Sequence, residues 1–426
     1  MIAKHPMMNR IVMLLLSGAI VLVGGLPVQA APKWADLDRP EHDYWNKPLN
    51  DKFTQLKDDL EAGKLPLDYR TEKTFLVSLL KALDIPASSQ VLLFSTTSLQ
   101  LRFISVRNPR ALYFNEDLYI GYIPGGRIEV VALNPELGGI FYIFDIPQGR
   151  KQVRVERSTR CMNCHADEDT HDVPGLLAKS VIPGPNGGSL RAYRIGQSGH
   201  GIPYEERFGG WHVTGEHSIS NHHGNLTGQF RNGKLLTYEA QPGRRFVWSK
   251  YATRTSDILP HLILEHQIGF VNRVLAAGYQ TRAYLAEGKG RLSSEHDKLL
   301  SQQADSLVRY ILFADEPALP AGGVGGDDVF KRDFQSAGKA NPALASLRRF
   351  ELRTRIFNLR CSYMIGSSVF TGLPDEMKRR IFARLRNALS PDLPDSAYEY
   401  LDADEKRAIG DVLSNAFPSY ASSSDN

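Results

Sequence analysis

Five consecutive residues, Cys161-Met162-Asn163-Cys164-His165, restrict the surrounding fold more than any other feature of this sequence. The chain has three cysteines in 426 residues, and two of them lie here. That is too few for a disulfide scaffold, and the third, Cys361, is left over. Two thiols separated by two residues and followed at once by an imidazole form the attachment pattern for c-type haem. The thiols reach the two vinyl groups on one porphyrin edge and form thioethers. The next residue is then held under the ring, where His165 binds iron. A zinc ribbon would need a second ligand pair, and the sequence has none. A thioredoxin-like dithiol needs an α/β fold and has no use for the histidine. One motif means one covalent haem, which argues against di-haem peroxidases and multihaem wires.

The N-terminus agrees with this chemistry. Lys4 and Arg10 precede an apolar run, Ile11 to Leu26, interrupted by Ser17 and Gly18. Val28-Gln29-Ala30 fits a small-x-small cleavage site. We therefore expect residues 1–30 to be a cleaved signal peptide and the protein to be periplasmic. The rival reading, an uncleaved anchor, meets a run that is short for a spanning helix and broken at its end by Gly24, Gly25 and Pro27. No other stretch is apolar enough to span a membrane. Removing Lys4 and Arg10 leaves 49 basic residues against 47 acidic ones, a balance that gives no argument for nucleic acid or a polybasic membrane patch.

The expected class is α+β, in three parts after the leader. Residues 31–150 read as a β-rich, antiparallel N-terminal domain preceded by helices. Asn50 is a candidate cap for a helix over about 51–62, and Thr71 for one through Phe75, Leu76, Leu79 and Leu83. Short apolar runs at 91–94, 101–105, 111–114, 118–123, 128–133 and 140–144, separated by turn residues, predict a meander. Residues 151–290 form the haem-binding region, rich in glycine and proline loops, with a long helix over 256–286 whose apolar stripes predict burial. Residues 291–426 read as helical, with a disordered tail from Ser419.

The second axial position is open to several readings. Met364 lies in an apolar run and reads as core. His171, His200, His212, His217, His222, His223, His261 and His266 cluster downstream of the motif. His217 and His222 lie in a segment bounded by glycines, which let a backbone approach a flat ring, and are the distal candidates. Trp211 could pack on the macrocycle. His266 lies on the buried helix and could face a haem or be a core histidine. His261 and Glu265, four apart, could pair on the surface. Arg154, Arg157 and Arg160 either meet haem propionates or form a solvated strand edge. Cys361 reads as a small buried hydrophobe.

Several stretches resemble a family of exported bacterial proteins described as cytochrome c domain-containing. They are Asn108-Pro109-Arg110-Ala111-Leu112-Tyr113-Phe114-Asn115, the haem motif, and Val173-Pro174-Gly175-Leu176. They continue with the run from Glu205 through Gly209-Gly210-Trp211-His212-Val213-Thr214-Gly215-Glu216-His217, with His222-His223-Gly224-Asn225, with Leu264-Glu265-His266-Gln267 and with Cys361-Ser362-Tyr363-Met364-Ile365. The resemblance spans roughly residues 90–380. It implies one covalent haem and export, and no particular reaction. It raises His217 as a site candidate.

Electron transfer to a redox protein partner is the first functional expectation. A haem enzyme or sensor acting on peroxide or a small ligand, with an open or histidine-lined distal site, is the alternative. A scaffold subunit of a membrane-bound respiratory complex is a third. The size exceeds what a simple shuttle needs.

Overall fold

Helix α1 (Lys52–Glu61) begins where Asp51, not Asn50, accepts the amide of Thr54. Helix α2 (Glu72–Ala82) starts from a capping box at Thr71. These observations come from a computed structural model that describes residues 32–147, 152–194, 196–392 and 395–422. The expected signal peptide and the last residues of the expected disordered tail lie outside the described residues.

A meander follows: β1 (Val91–Leu93), β2 (Arg110–Phe114), β3 (Leu118–Tyr122), β4 (Arg127–Asn134) and β5 (Gly138–Asp145). Next come β6 (Glu156–Arg157), the single turn α3 (Met162–His165), β7 (Val181–Pro183), β8 (Ser189–Ala192) and β9 (Trp211–His212). The main sheet has seven antiparallel strands in the order β6-β5-β4-β3-β2-β1-β9. Two hairpins stand apart from it: β7 with β8, and β10 (Leu226–Arg231) with β11 (Lys234–Glu239). The 101–105 run is not a strand. Leu101–Phe103 makes a 3-10 turn, and the Asn108 side-chain amide donates to the carbonyls of Phe103 (2.9 Å) and Pro124 (3.1 Å). A side chain thus satisfies backbone that a neighbouring strand would otherwise pair.

Both faces of the sheet are covered. Ile120, Ile128, Val130, Tyr142 and Phe144 pack on one face with Phe53, Phe75, Leu76 and Leu79 of α1 and α2. Val91, Leu93, Phe114, Tyr119 and Leu133 on the other face pack with helix α4 (Ile258–Glu287). Hence β3 and β5 read as nearly continuous apolar runs rather than alternating ones.

Helix α4 spans 30 residues and is buried without interruption from Ile258 to Asn272. Its polar residues must therefore find partners inside. Gln267 accepts from Tyr119 (2.9 Å) on the sheet side and donates to Tyr363 (2.9 Å) on the other. His261 and Glu265 do not form the expected surface pair, because both are buried. His261 turns to Ser256 Oγ and the carbonyl of His212, while Glu265 holds Arg194 (2.8 Å) and Arg207 (3.3 Å).

The chain finishes with α5 (Ser294–Ile311), α6 (Asp328–Ala337), α7 (Ser368–Thr371), α8 (Asp375–Leu389), α9 (Ala403–Ala416) and α10 (Pro418–Ala421). The α10 turn corrects the expectation of disorder from Ser419, since Tyr420 is buried against Phe382 and its carbonyl accepts from Arg386. Residues 31–426 form one compact unit, of class α+β. Among the described residues no helix is long and apolar enough to cross a membrane.

Asp257 caps α4 by accepting from Leu259 (3.0 Å) and also accepts from Asp327 (3.1 Å), which leads into α6. We expect Asp257→Ala to cost about 1–2 kcal/mol in urea unfolding. Asp257→Asn should retain most of that stability; an unchanged midpoint for the alanine variant would show that the cap contributes nothing.

Candidate cofactor site

Cys161 and Cys164 are three residues apart around the single turn α3, so their side chains share one face. Both thiols are free; Cys161 is half-buried and Cys164 exposed. The Cys161 thiol donates to Ser158 Oγ (3.4 Å), and burial pushes it up from its usual range. Met162 turns the other way, its sulfur accepting from the Tyr44 hydroxyl at 3.6 Å.

The geometry at His165 is the most informative. Its ring lies 4.6 Å from that of Phe141 on β5, and its Nδ1 is 2.9 Å from the carbonyl of Gly175. With Nδ1 donating there, Nε2 keeps its lone pair and has no partner among the described residues. Burial pulls the imidazole down to about 4, so the ring is neutral near pH 7, as metal ligation requires.

The Gly175 carbonyl is itself held from α4. Asn272 accepts from the amide of Leu176 (2.8 Å) and donates to its carbonyl (2.9 Å). Pro174 is tied to β5 by the amide of Gly139 (2.7 Å), and the Gly175 amide returns to the carbonyl of His165 (2.8 Å). A Cβ on Gly175 would run into Asn272, which is why glycine occupies this position. Residues that orient a ligating histidine in this way tune it as well as hold it.

Beside this turn a cavity of about 600 Å³ opens over the end of the sheet, lined by Leu99, Leu101, Phe103, Ile143, Ser158 and Arg160. Leu99 and Leu101 are 42% and 56% exposed, apolar surface that a flat apolar ring would cover. Near Cys161 and His165, Arg110 on β2 reaches across Gly121 to pair with Glu129 on β4. Glu129 also accepts from Ser98 (2.8 Å) and Gln100 (2.9 Å). Arg157 is occupied by the carbonyl of Tyr44 (3.0 Å), while Arg160 remains at the cavity. Two free thiols, an oriented imidazole and an adjoining cavity that combines apolar side chains (Leu99, Leu101, Phe103, Ile143) with charged ones (Arg102, Arg127, Asp145, Glu156, Arg160) fit a c-type haem.

His217 and His222 meet each other, with ring centroids 5.6 Å apart, rather than the 161–165 turn. They follow β9, at the opposite end of the sheet from β5 and β6. Five strand spacings separate β5 from β9, about 24 Å along the sheet. Trp211 is also at β9, edge-on to His261 at 5.5 Å, with its Nε1 donating to the carbonyl of Lys179. His266 has both nitrogens engaged, Nδ1 with His200 and Nε2 with Ser362 (2.8 Å each). Met364 and Cys361 are fully buried, and burial pushes the Cys361 thiol up to about 12.

Sequence reasoning missed Asn272, Phe141 and the Arg110–Glu129 pair. The available signal for Asn272 was an amide amid the apolar stripe Ile268, Val271 and Leu275. Among the described residues no group of three His, Cys, Asp or Glu side chains is arranged to hold a bare metal ion. No protein-family model, curated protein or solved structure matches the chain.

Burial lowers His212 to about 4 and His261 and His266 to about 3, all three nearly or fully inaccessible. Unfolding raises each to the ordinary value near 6.5, so the unfolded chain binds more protons between about pH 4 and 6.5. Stability is then fully present above about 6.5 and is lost as pH falls through this window. Three protons taken up near pH 5 correspond to a slope of about 4 kcal/mol per pH unit. Urea unfolding from pH 7 to 4.5 measures it; a flat profile would mean that these rings are not buried neutral.

Proposed function

We propose that the chain is an exported monohaem c-type cytochrome-like protein that transfers electrons to or from a redox protein partner. Cys161 and Cys164 would hold one haem covalently, and His165 would ligate its iron. The observation that carries this reading is the His165 Nδ1 bond to Gly175, which leaves Nε2 free beside two unpaired thiols on the same turn. Bound haem supplies a one-electron carrier whose potential follows its ligands and surroundings.

The protein's own residues do the rest. Cys161 and Cys164 retain the group. Gly175, fixed by Asn272, orients the imidazole and raises its basicity. Ile143, Leu99 and Leu101 would offer a bound ring apolar cover, and Phe141 packs against His165. The export signal, the resemblance to exported cytochrome c domain-containing proteins and the near-neutral charge are consistent with a periplasmic carrier.

A second reading, a haem enzyme or sensor with an open distal position, is favoured by the cavity's lining, which includes no histidine or methionine among the described residues.

The test is the optical spectrum of the exported protein, oxidised and reduced, with and without CO. Low-spin bands indifferent to CO support the carrier; a prompt shift with CO supports the open site and displaces electron transfer. Haem that stays with the chain on a denaturing gel, and is lost from the Cys161→Ala, Cys164→Ala double variant, is expected in both cases. Absence of covalent haem overturns both. Asn272→Ala should retain covalent haem but shift the potential or spin state, because it frees the loop that orients His165.

A further inference from the structure

A second cavity, of about 290 Å³, shares no lining residue with the one beside the 161–165 turn. Ser198, His200, Arg273, Ser306, Arg309 and Tyr310 contribute to its wall, with Asp315 at the side.

The wall is rigidly built. Tyr310 Oη donates to the carbonyl of His266 (2.9 Å) and accepts from the amide of His200 (3.3 Å). Gly199 makes this approach possible: its φ is +110°, and a Cβ there would strike the Tyr310 hydroxyl. The His200 ring stacks on Tyr310 (4.1 Å) and Phe313 (4.5 Å) and is only 1% exposed. Its Nδ1 meets His266 Nδ1, and His266 Nε2 meets Ser362 Oγ, so both rings are locked.

Polar groups in and behind the wall of this cavity remain unspent. The Ser198 hydroxyl is buried, in a residue 9% exposed, and makes no hydrogen bond. Nε2 of His200 has no partner among the described residues. Arg273 lies over the Tyr310 ring at 4.4 Å and donates through Nη1 to the carbonyls of Ser198 and Gly269 (2.9 Å each), which leaves Nη2 and Nε. Arg309 gives Nη2 to Asp315 (2.5 Å) and keeps Nη1 and Nε. Two guanidinium groups face one carboxylate, so the cavity favours negative charge.

We propose that this cavity binds a small oxyanion, of phosphate or short-chain carboxylate size, between Arg273 and Arg309, whose remaining N–H groups donate to it. Guanidinium pairs suit planar or tetrahedral oxyanions through paired N–H donors. The volume, about 290 Å³, lies at the lower bound for small-molecule sites and suits a small anion. The proposal does not depend on the haem reading. Arg273 follows Asn272 on α4, so the same helix turn serves the loop behind His165 and this cavity.

The test uses the purified full-length protein in low-salt, phosphate-free buffer at pH 7. Inorganic phosphate and acetate are titrated separately, with chloride matched for ionic strength, and read by calorimetry and thermal midpoint. We expect saturable binding of one oxyanion, with a rise in midpoint that chloride does not reproduce. Preference for phosphate or acetate identifies the ligand type. Arg309→Gln, at a partly exposed position that should fold normally, and Arg273→Gln, checked for folding by its circular dichroism, should each weaken binding by about tenfold or more. The proposal is overturned if neither anion gives saturable binding up to about 10 mM, or if both variants bind as the parent does.

Discussion

The burial of α4 between the sheet and the C-terminal helices is the constraint on which the rest of the molecule depends. A helix buried on all sides cannot leave polar groups unsatisfied. Each one in its first half therefore reaches into another part of the chain: His261 to β9, Glu265 to Arg194 and Arg207, His266 to His200 and Ser362, Gln267 to β3 and Tyr363, Asn272 to the loop after the 161–165 turn. These contacts are few, and each joins segments far apart in sequence. The apolar area they accompany supplies the stability, and the polar contacts set the register.

The 161–165 turn illustrates how retention and orientation divide. Thioethers from Cys161 and Cys164 would hold a haem whatever the surroundings. What the iron would experience is decided by groups outside the motif. The Gly175 carbonyl fixes the His165 ring, Phe141 packs against it, and the Arg110–Glu129 pair adds a compensated charge nearby. A hydrogen bond of this kind contributes about 1 kcal/mol to stability, yet it selects the nitrogen that can bind metal. The two tasks differ in scale: five residues place the thiols and the imidazole on one turn, whereas the sheet and α4 supply what packs around them.

Much of the architecture was legible in the sequence because it rests on local periodicity. The strands at 91, 111, 118, 128 and 140 are short apolar runs between turn residues, and the observed β1 to β5 follow them closely. The expected helix over 256–286 is α4, displaced by two residues at its start and one at its end. The misread segments are those where a distant partner overrides the local pattern. Leu101 to Ser105 has strand composition, but Asn108 folds its backbone into a turn. His261 and Glu265 have the spacing of a surface pair, but the helix face that carries them is covered. Ser419 to Ala421 is polar in sequence, yet Tyr420 anchors it to α8.

The sequence by itself determined the α+β class and the placing of Cys161 and Cys164 on one turn, because apolar runs, turn residues and thiol spacing act over a few neighbouring positions. Only the tertiary structure decided which atoms surround His165, that His217 and His222 gather at the far edge of the sheet, and that Ser198, His200, Arg273 and Arg309 share one cavity. Those arrangements join residues separated by up to about a hundred positions, and chain packing alone brings such residues within hydrogen-bonding distance.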